Sequence, residues 1–324
     1  MKTLSVIIPL YNAEKYICQA VNSILCQKGI EMEIIVINDG STDHSLERLS
    51  VYGELVKILN ISNSGASAAR NVGLKYATGE NVMFLDADDY IVDDSICNTV
   101  IAKMEETSAE MGMFLYTYYN NESCKYVHLK SFPHDLLEKT DCSELTYQLI
   151  YSGIAPVSPC CKIIKRRFLI DNNLFFVEGT VAEDIEWFVR LLICTKRICL
   201  INNDSYIYRK NISSSVTGSI TKAKCANHYS MIYLSIQRLS ECEDEKKKDA
   251  LYSILSYQYC IWLSQIWFFI RDKEFVKMNE SLCWLLRYDL FPKVKYVKWV
   301  YKIIGVNTAA VLYMFYKLFS KSNK

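Results

Sequence analysis

Four apolar runs near the start of the chain alternate with helix-patterned stretches, and each run stops at a polar loop. The runs are Leu4 to Ile8 (LSVII), Glu33 to Asn38 (EIIVIN), Val56 to Ile61 (VKILNI) and the VMFL segment before Asp86. Between the first two, Ala13 to Gln27 places Tyr16, Ile17, Ala20, Val21, Ile24 and Leu25 at i, i+3, i+4 spacing. Ser67 to Ala77 repeats the pattern less cleanly with Ala68, Val72, Leu74 and Tyr76. The order βαβαβαβ predicts an α/β fold, a mostly parallel sheet with helices on both faces. Every strand of such a sheet delivers its loop to one edge. Those loops are PLYN (Pro9 to Asn12), NDGSTD (Asn38 to Asp43), SNSGASAARN (Ser62 to Asn71) and DADD (Asp86 to Asp89).

The last loop carries the most chemistry. An apolar run that ends in carboxylates at 86, 88 and 89 places acids where open α/β sheets bind ligands. Mg²⁺ and Mn²⁺ take carboxylate oxygens and leave room for substrate phosphates, so Asp86-Ala87-Asp88 reads as a grip for a metal-bound diphosphate. Acids after strands also serve as caps and turns, and Asn38-Asp39-Gly40 is by itself a good turn. Arg70 read alone is a surface helix residue.

The ordered series SVIIPLYN, VINDGSTD, NSGASAARNVGLKYATGE, FLDADD and AEDIEWFVRL resembles the family 2 inverting glycosyltransferases of the bacterial polysaccharide type, whose nucleotide-binding half has the Rossmann-like GT-A fold. The resemblance implies that Pro9 and Tyr11 line a uracil and ribose pocket, Asp39 accepts from the uracil imide N–H, and Arg70 faces the nucleotide. It also implies that Asp86 contacts the ribose and Asp88 ligates a Mn²⁺ or Mg²⁺ ion bridging the diphosphate of a UDP-sugar. The chemistry agrees. An imide N–H needs an acceptor, which ionised Asp supplies, and a tyrosine ring offers a base a stacking face. A cation at Asp88 offsets charge that grows on the leaving diphosphate.

In AEDIEWF, a helix beginning here puts Asp184 on one face with Trp187, Phe188 and Leu191, and Glu183 on another with Glu186 and Arg190. Asp184 is therefore expected inward and Glu183 toward solvent. A carboxylate on the apolar side of a first helical turn is more basic through desolvation, while the helix N-terminus keeps it ionised. The resemblance independently assigns Asp184 as the catalytic base. An acidic first turn that merely favours the helix dipole is the plainer reading. By the same resemblance, Arg209 in SYIYRKNISSSVTG (Ser205 to Gly218) is expected at the diphosphate.

Composition narrows the remainder. With 324 residues, 51% hydrophobic content and a net charge of +1, the chain can bury a large α/β core and implies no broad nucleic-acid surface. Thirteen cysteines without a CxxC pair read as reduced thiols, and no signal peptide precedes the first strand, so a cytoplasmic protein is expected. Gly-x-Gly-x-x-Gly is absent after the first strand, which disfavours a dehydrogenase.

From Lys222 onward Gly and Pro nearly vanish, and helical patterns rich in Tyr, Trp and Leu take over. The expected organisation is a GT-A domain over 1–220, with a nucleotide-binding half to about 110 and an acceptor-side half over 111–220, then a helical annex over 221–324. The run EDEKKKD (Glu243 to Asp249) reads as a solvated link between helices. From Pro292 to Lys324 there are seven lysines and no acid. Lys295, Lys298 and Lys302 would share one helical face opposite Val297, Val300, Tyr301 and Ile304. Such a helix either lies at an anionic membrane surface, on the inner face of the cell membrane, or docks on the annex core. Ile303 to Tyr316 is too short for a span of about 20 residues.

The sequence thus points to an inverting hexosyltransferase acting on a glycan or lipid-linked glycan acceptor in cell-surface polysaccharide synthesis. The rival is a non-catalytic sugar-nucleotide-binding or scaffold protein of a polysaccharide-assembly complex.

Overall fold

Leu4, Val6, Ile7 and Ile8 are wholly buried on β1 (Thr3–Leu10), the strand from which the main sheet grows in both directions. In the computed structural model, which describes residues 3–180, 182–210 and 220–314, β1 runs parallel to β2 (Glu31–Asp39) and to β4 (Asn81–Phe84), and β3 (Val56–Ile61) extends the sheet beyond β2. The connections α1 (Ile17–Leu25), α2 (Ser45–Leu49) and α3 (Ala66–Tyr76) complete the expected alternation. Ile17, Ala20, Val21 and Ile24 make the buried stripe of α1, as their spacing predicts, whereas Leu25, expected in the same stripe, is exposed and Tyr16 is half-buried.

Beyond β4 the sheet continues with β9 (Lys162–Lys165), β6 (Met111–Met113) and β10 (Ile198–Leu200), in the order β10-β6-β9-β4-β1-β2-β3. Only β9 is antiparallel to its neighbours. Gly73 sets the distance of α3 from the sheet. A Cβ there would lie 2.2 Å from Ile7 Cγ2, so any side chain would push the helix away from β1.

A second sheet of four strands, β5-β11-β7-β8, comprises Tyr90–Ile91, Tyr206–Lys210, Tyr116–Asn120 and Lys125–His128. Its first strand begins directly after the DADD loop, which brings distant residues 206–210 beside those acids.

The chain divides into two compact units. One comprises Met1–Cys142, Pro156–Gly179 and Cys194–Ser215; the other comprises Ser143–Ala155, Thr180–Ile193 and Val216–Lys324. The second unit is helical, with α7 (Glu183–Cys194), α8 (Lys222–Leu239), α9 (Glu245–Gln265), α10 (Lys273–Leu282) and α11 (Pro292–Ile304). Two further helices, α5 (Cys142–Ser152) and α6 (Arg166–Asp171), precede α7 in the chain, and α4 (Ile96–Thr107) precedes β6. Trp262 anchors the helical core. It stacks on Phe275 with ring centroids 6.3 Å apart and donates its indole N–H to the Cys225 carbonyl at 2.8 Å.

One expectation is corrected in part here, and a second is made more specific. EDEKKKD is a link only in its first two residues, Glu243 and Asp244, and from Glu245 it is the start of α9: the Asp244 side chain caps the helix by accepting from the Lys247 N–H at 3.0 Å, and Lys247 is buried. Three lysines in a row suggest solvent, yet a capped first turn turns one of them inward. The second concerns α11, whose Val294 and Val297 are buried while Tyr301 accepts from Asn279 Nδ2 at 2.7 Å. The docked alternative therefore describes that face, and the solvent face carries Tyr296, Trp299 and Ile303, which the lysine spacing did not reveal. Residues 211–219 and 315–324, with parts of the Ser-rich loop and of the basic tail, lie outside the described residues. All thirteen cysteines are free thiols, and no described helix is long and apolar enough to cross a membrane.

Candidate active site

The loop after β1 and the loop after β2 are laced together by Asn12. Its backbone sits in the left-handed region (φ +48°), which Asn tolerates, and its Oδ1 accepts from the Thr42 N–H at 2.8 Å. Asp43 Oδ2 accepts from the Glu14 N–H at 3.0 Å, and Ser45 Oγ accepts from the Ala13 N–H at 2.9 Å. These bonds fix the segment that presents Pro9, half-buried, and Tyr11, a residue 49% exposed at the rim. A large aromatic left in solvent on a rigid loop is available for stacking.

Asp39 ends β2 and is buried. Its two carboxylate oxygens accept from the backbone N–H groups of Ser64 at 2.6 Å and Gly65 at 2.8 Å, which pins the loop that opens α3. Gly65, at φ +90°, makes that turn possible. Each Asp39 oxygen retains a further lone pair for a ligand.

Arg70 projects from the first turns of α3 to Asp86, with Nη2 2.7 Å from Oδ1, and its guanidinium lies 5.4 Å from the centre of the Phe176 ring. The next residue, Asn71, makes a two-way bond with the Phe176 backbone: its Nδ2 donates to the carbonyl at 2.9 Å and its Oδ1 accepts from the N–H at 2.8 Å. Thus the segment expected as a loop from Ser62 to Asn71 is helical from Ala66, and its last two side chains brace the acidic loop and the 176 segment.

The acidic loop is a tight turn closed by the Asp89 N–H donating to the Asp86 carbonyl at 3.0 Å, with Ala87 buried at its tip. Its three acids have separate environments. Asp86 is paired with Arg70. Burial, reinforced by the Asp86 charge, pushes the Asp88 carboxyl up to about 6. Asp89 is wholly buried and points away from the rim: Oδ2 accepts from Tyr206 Oη at 2.6 Å and Oδ1 from the Arg209 N–H at 2.9 Å. Burial and the charges of Asp88 and Asp86 push its carboxyl well above the usual range.

Arg209 completes this clamp from β11. Its guanidinium donates to the Asp88 backbone carbonyl and, at 2.5 Å, to Gln19 Oε1, and it lies over the rings of Tyr90 at 4.4 Å and Tyr16 at 5.1 Å. Its contacts therefore hold the acidic loop in place. Tyr208, one residue earlier, packs edge-on against Tyr118 at 5.6 Å on the half-buried face of the small sheet.

In the helical unit, Asp184 stands half-buried in the acidic first turn of α7, beside Glu183 and ahead of buried Ile185 to Val189. The solvent-facing side expected for Glu183, Glu186 and Arg190 is corrected in part: Glu186 is 0% exposed, held by Arg190 through Nε at 2.6 Å and Nη2 at 2.8 Å, with Arg238 Nε at 3.8 Å. Two arginines supply the counter-charge that lets a glutamate be buried. Among the described residues, no group of three or more His, Cys, Asp or Glu side chains is placed to enclose a metal ion.

Residues 5–172, just over half of the sequence, match the family described as "Glycosyl transferase family 2". The chain belongs to glycosyl transferase family 2. Within it, the chain is 30% identical over 213 residues to the glycosyltransferase GlyA of Streptococcus pneumoniae serotype 4, covering 64% of this chain and 30% of GlyA. It is 28% identical to GlyG of the same organism, covering 65% of this chain and 72% of GlyG. It is 27% identical over 300 residues to TarS of Staphylococcus aureus, a poly(ribitol-phosphate) beta-N-acetylglucosaminyltransferase, covering 88% of this chain and 48% of TarS. The chain thus spans under a third of GlyA and about half of TarS. The structure of S. aureus TarS 1–349 in complex with UDP-GlcNAc superposes with a TM-score of 0.73 at 22% identity, covering 98% of this chain and 92% of that one. The fold expectation therefore holds: a mostly parallel GT-A sheet flanked by helices, with a C-terminal helical region.

The family match ends before α7 and β11, so Asp184 and Arg209 lie outside it. The residues that sequence reasoning missed are Tyr206, Gln19 and Asn71, and it counted Asp89 with the ligand-facing acids, whereas Asp89 is buried and bonded to Tyr206 and Arg209. Asp89 alone carried a signal: a third consecutive-loop acid cannot share one exposed site with two others at low cost, so one of them had to turn inward.

Proposed function

We propose that the chain is an inverting glycosyltransferase, moving a sugar from a metal-bound UDP-sugar to an acceptor hydroxyl on a glycan or lipid-linked glycan during synthesis of a cell-surface polysaccharide. The observation that carries this reading is the division of labour in Asp86-Ala87-Asp88. Arg70 neutralises Asp86, whereas Asp88 is a carboxylate whose ionisation is opposed by burial and by Asp86. A nearby divalent cation relieves that opposition. Mg²⁺ and Mn²⁺ require few protein ligands when a diphosphate supplies others, so Asp88 fits as the protein's share. When bound, the ion offsets charge on the departing UDP.

The rest of the role belongs to the chain. Pro9 and Tyr11 flank the uracil and ribose, Asp39 accepts from the uracil imide, and the Arg70–Asp86 pair orients the ribose. Arg209 holds the loop that carries Asp88. Asp184 takes the proton from the acceptor hydroxyl, and direct attack inverts the anomeric centre. UDP-GlcNAc is the first donor to test, because it is the ligand of the TarS structure. A cytoplasmic site of action matches that donor class.

The test measures melting temperature with UDP-GlcNAc, UDP-glucose, UDP-galactose or UDP-GalNAc, each with and without Mn²⁺, and then UDP release. A ligand at 100 times its dissociation constant adds about 2.7 kcal/mol of stability. Absence of a shift with every UDP-sugar would sink the reading. Metal-dependent binding without UDP release, in the presence of varied glycan acceptors, would point to a binding or scaffold role.

A further inference from the structure

The helix α11 has two apolar faces, and only one of them packs against other described residues. Val294 and Val297 are buried in the helical unit, and Tyr301 bonds to Asn279. On the opposite side Tyr296, Trp299 and Ile303 stand in line at i, i+3 and i+7, with 76%, 66% and 63% of their surfaces exposed. A single exposed apolar residue is ordinary, but three large ones in line on one helix mark an interaction surface.

Charge identifies the kind of partner. Lys295 and Lys302, at i and i+7, border the stripe on one side, and exposed Lys293 lies on the other. None of the three has an ion-pair partner among the described residues. Lys298, farther toward the packed side, pairs with Asp289 at 2.8 Å. No acid occurs from Pro292 to the end of the sequence.

We propose that this face of α11 docks on a lipid bilayer bearing anionic headgroups, with the helix lying in the plane of the surface. The lysine row selects a negatively charged partner. Trp299 and Tyr296, amphipathic rings suited to headgroup depth, select one whose charge overlies an apolar layer. A polyanion would use the lysines and leave the stripe wet. Lysine stems lie along the apolar boundary while their ammonium groups reach the phosphates. At 13 residues and about 1.5 Å per residue, the helix lies on a bilayer and does not cross it. These residues are not those of the acidic loop, so the inference is independent of sugar transfer.

The test is co-sedimentation of the full chain with vesicles of phosphatidylcholine alone or mixed with phosphatidylglycerol, at low and high salt. The protein should sediment with the mixed vesicles at low salt, remain in solution with the neutral ones, and dissociate as salt rises. Lys295→Gln with Lys302→Gln should weaken partitioning about five-fold per lysine, on the order of thirty-fold together. Trp299→Ser with Ile303→Ser should weaken it on the order of a hundred-fold while melting like the wild type, because both side chains lie outside the core. The proposal is overturned if the wild type ignores anionic vesicles at low salt, or if the Trp299/Ile303 variant binds them equally well. It is also overturned if that variant abolishes a dimer seen by sedimentation equilibrium while no vesicle binding occurs, since the occupant would then be a second copy.

Discussion

Arg70 Nη2 lies 2.7 Å from Asp86 Oδ1, and this one contact gives the paired acids of the loop after β4 different jobs. Neutralised Asp86 becomes part of the frame, while Asp88 keeps a charge that its surroundings resist.

Opposite effects of two similar substitutions follow. Asp88→Asn should abolish the Mn²⁺-dependent part of UDP affinity and raise the melting temperature of the metal-free protein at neutral pH. The sign follows from the pKa. A carboxyl whose folded value, about 6, exceeds its ordinary one is ionised at a cost to folding above that pH, and Asn removes the cost. Asp86→Asn should instead cost about 2 kcal/mol, because it strips the counter-charge from nearly buried Arg70; Asp86 itself is part-exposed, which keeps the loss below the fully buried range. Calorimetric melting with UDP titration checks both. Equal melting shifts in the two variants would contradict the division of labour.

Protons compete with a cation for Asp88. Mn²⁺-dependent UDP binding should be flat above about 6 and fall about ten-fold per pH unit well below it, through the range where the carboxyl protonates. Isothermal titration across that range checks the direction. Binding that strengthens on acidification would contradict it.

The clamp on the acidic loop yields a stability prediction. Tyr206→Phe leaves buried Asp89 without one of its two donors and should cost about 1 to 3 kcal/mol in urea unfolding. Arg209→Lys should also destabilise, since an ammonium cannot reach the Asp88 carbonyl and Gln19 together while lying over two rings. Should Arg209→Lys weaken UDP binding at unchanged stability, the guanidinium would be a diphosphate ligand, as the resemblance implied.

Strands β1 to β4 of the main sheet were legible in the sequence because they and their helices are local, and periodicity is a local signal; β6, β9 and β10, which complete that sheet, were not. VMFL, LSVII and four residues of the α1 stripe are buried where their pattern places them, while Leu25 of that stripe is exposed. The small sheet was not legible. It joins Tyr90 to Ile207 and Tyr206 to Tyr116, and nothing in a short window reports pairing over such separations. Charge misled twice for one reason. Lys247 and Glu186 look solvated by type, but a capped first turn directs Lys247 inward, and Arg190 and Arg238 make the burial of Glu186 tolerable. On α11, period alone could not say which of two apolar faces packs inward.

The helix that carries Asp184 supplies the remaining prediction, in three variants that separate chemistry from support. Asp184→Asn keeps shape and hydrogen bonding but cannot take a proton, so UDP-sugar binding should persist while turnover falls about 10²- to 10⁴-fold. Glu183→Gln, beside it in the same first turn, should cost far less turnover. Glu186→Gln acts elsewhere: it removes the buried charge that Arg190 and Arg238 share and should cost about 3 to 5 kcal/mol of stability, read in the melting temperature. Because Glu186 lies two residues from Asp184, stability and catalysis are separated by measuring turnover per folded molecule below the melting transition, which should hold within a few-fold. Product stereochemistry is the independent check, since one base and one direct attack must convert an α-linked donor into a β-linked product. A retained α linkage, or a Glu183→Gln enzyme that is inactive beside an active Asp184→Asn enzyme, would reassign the base.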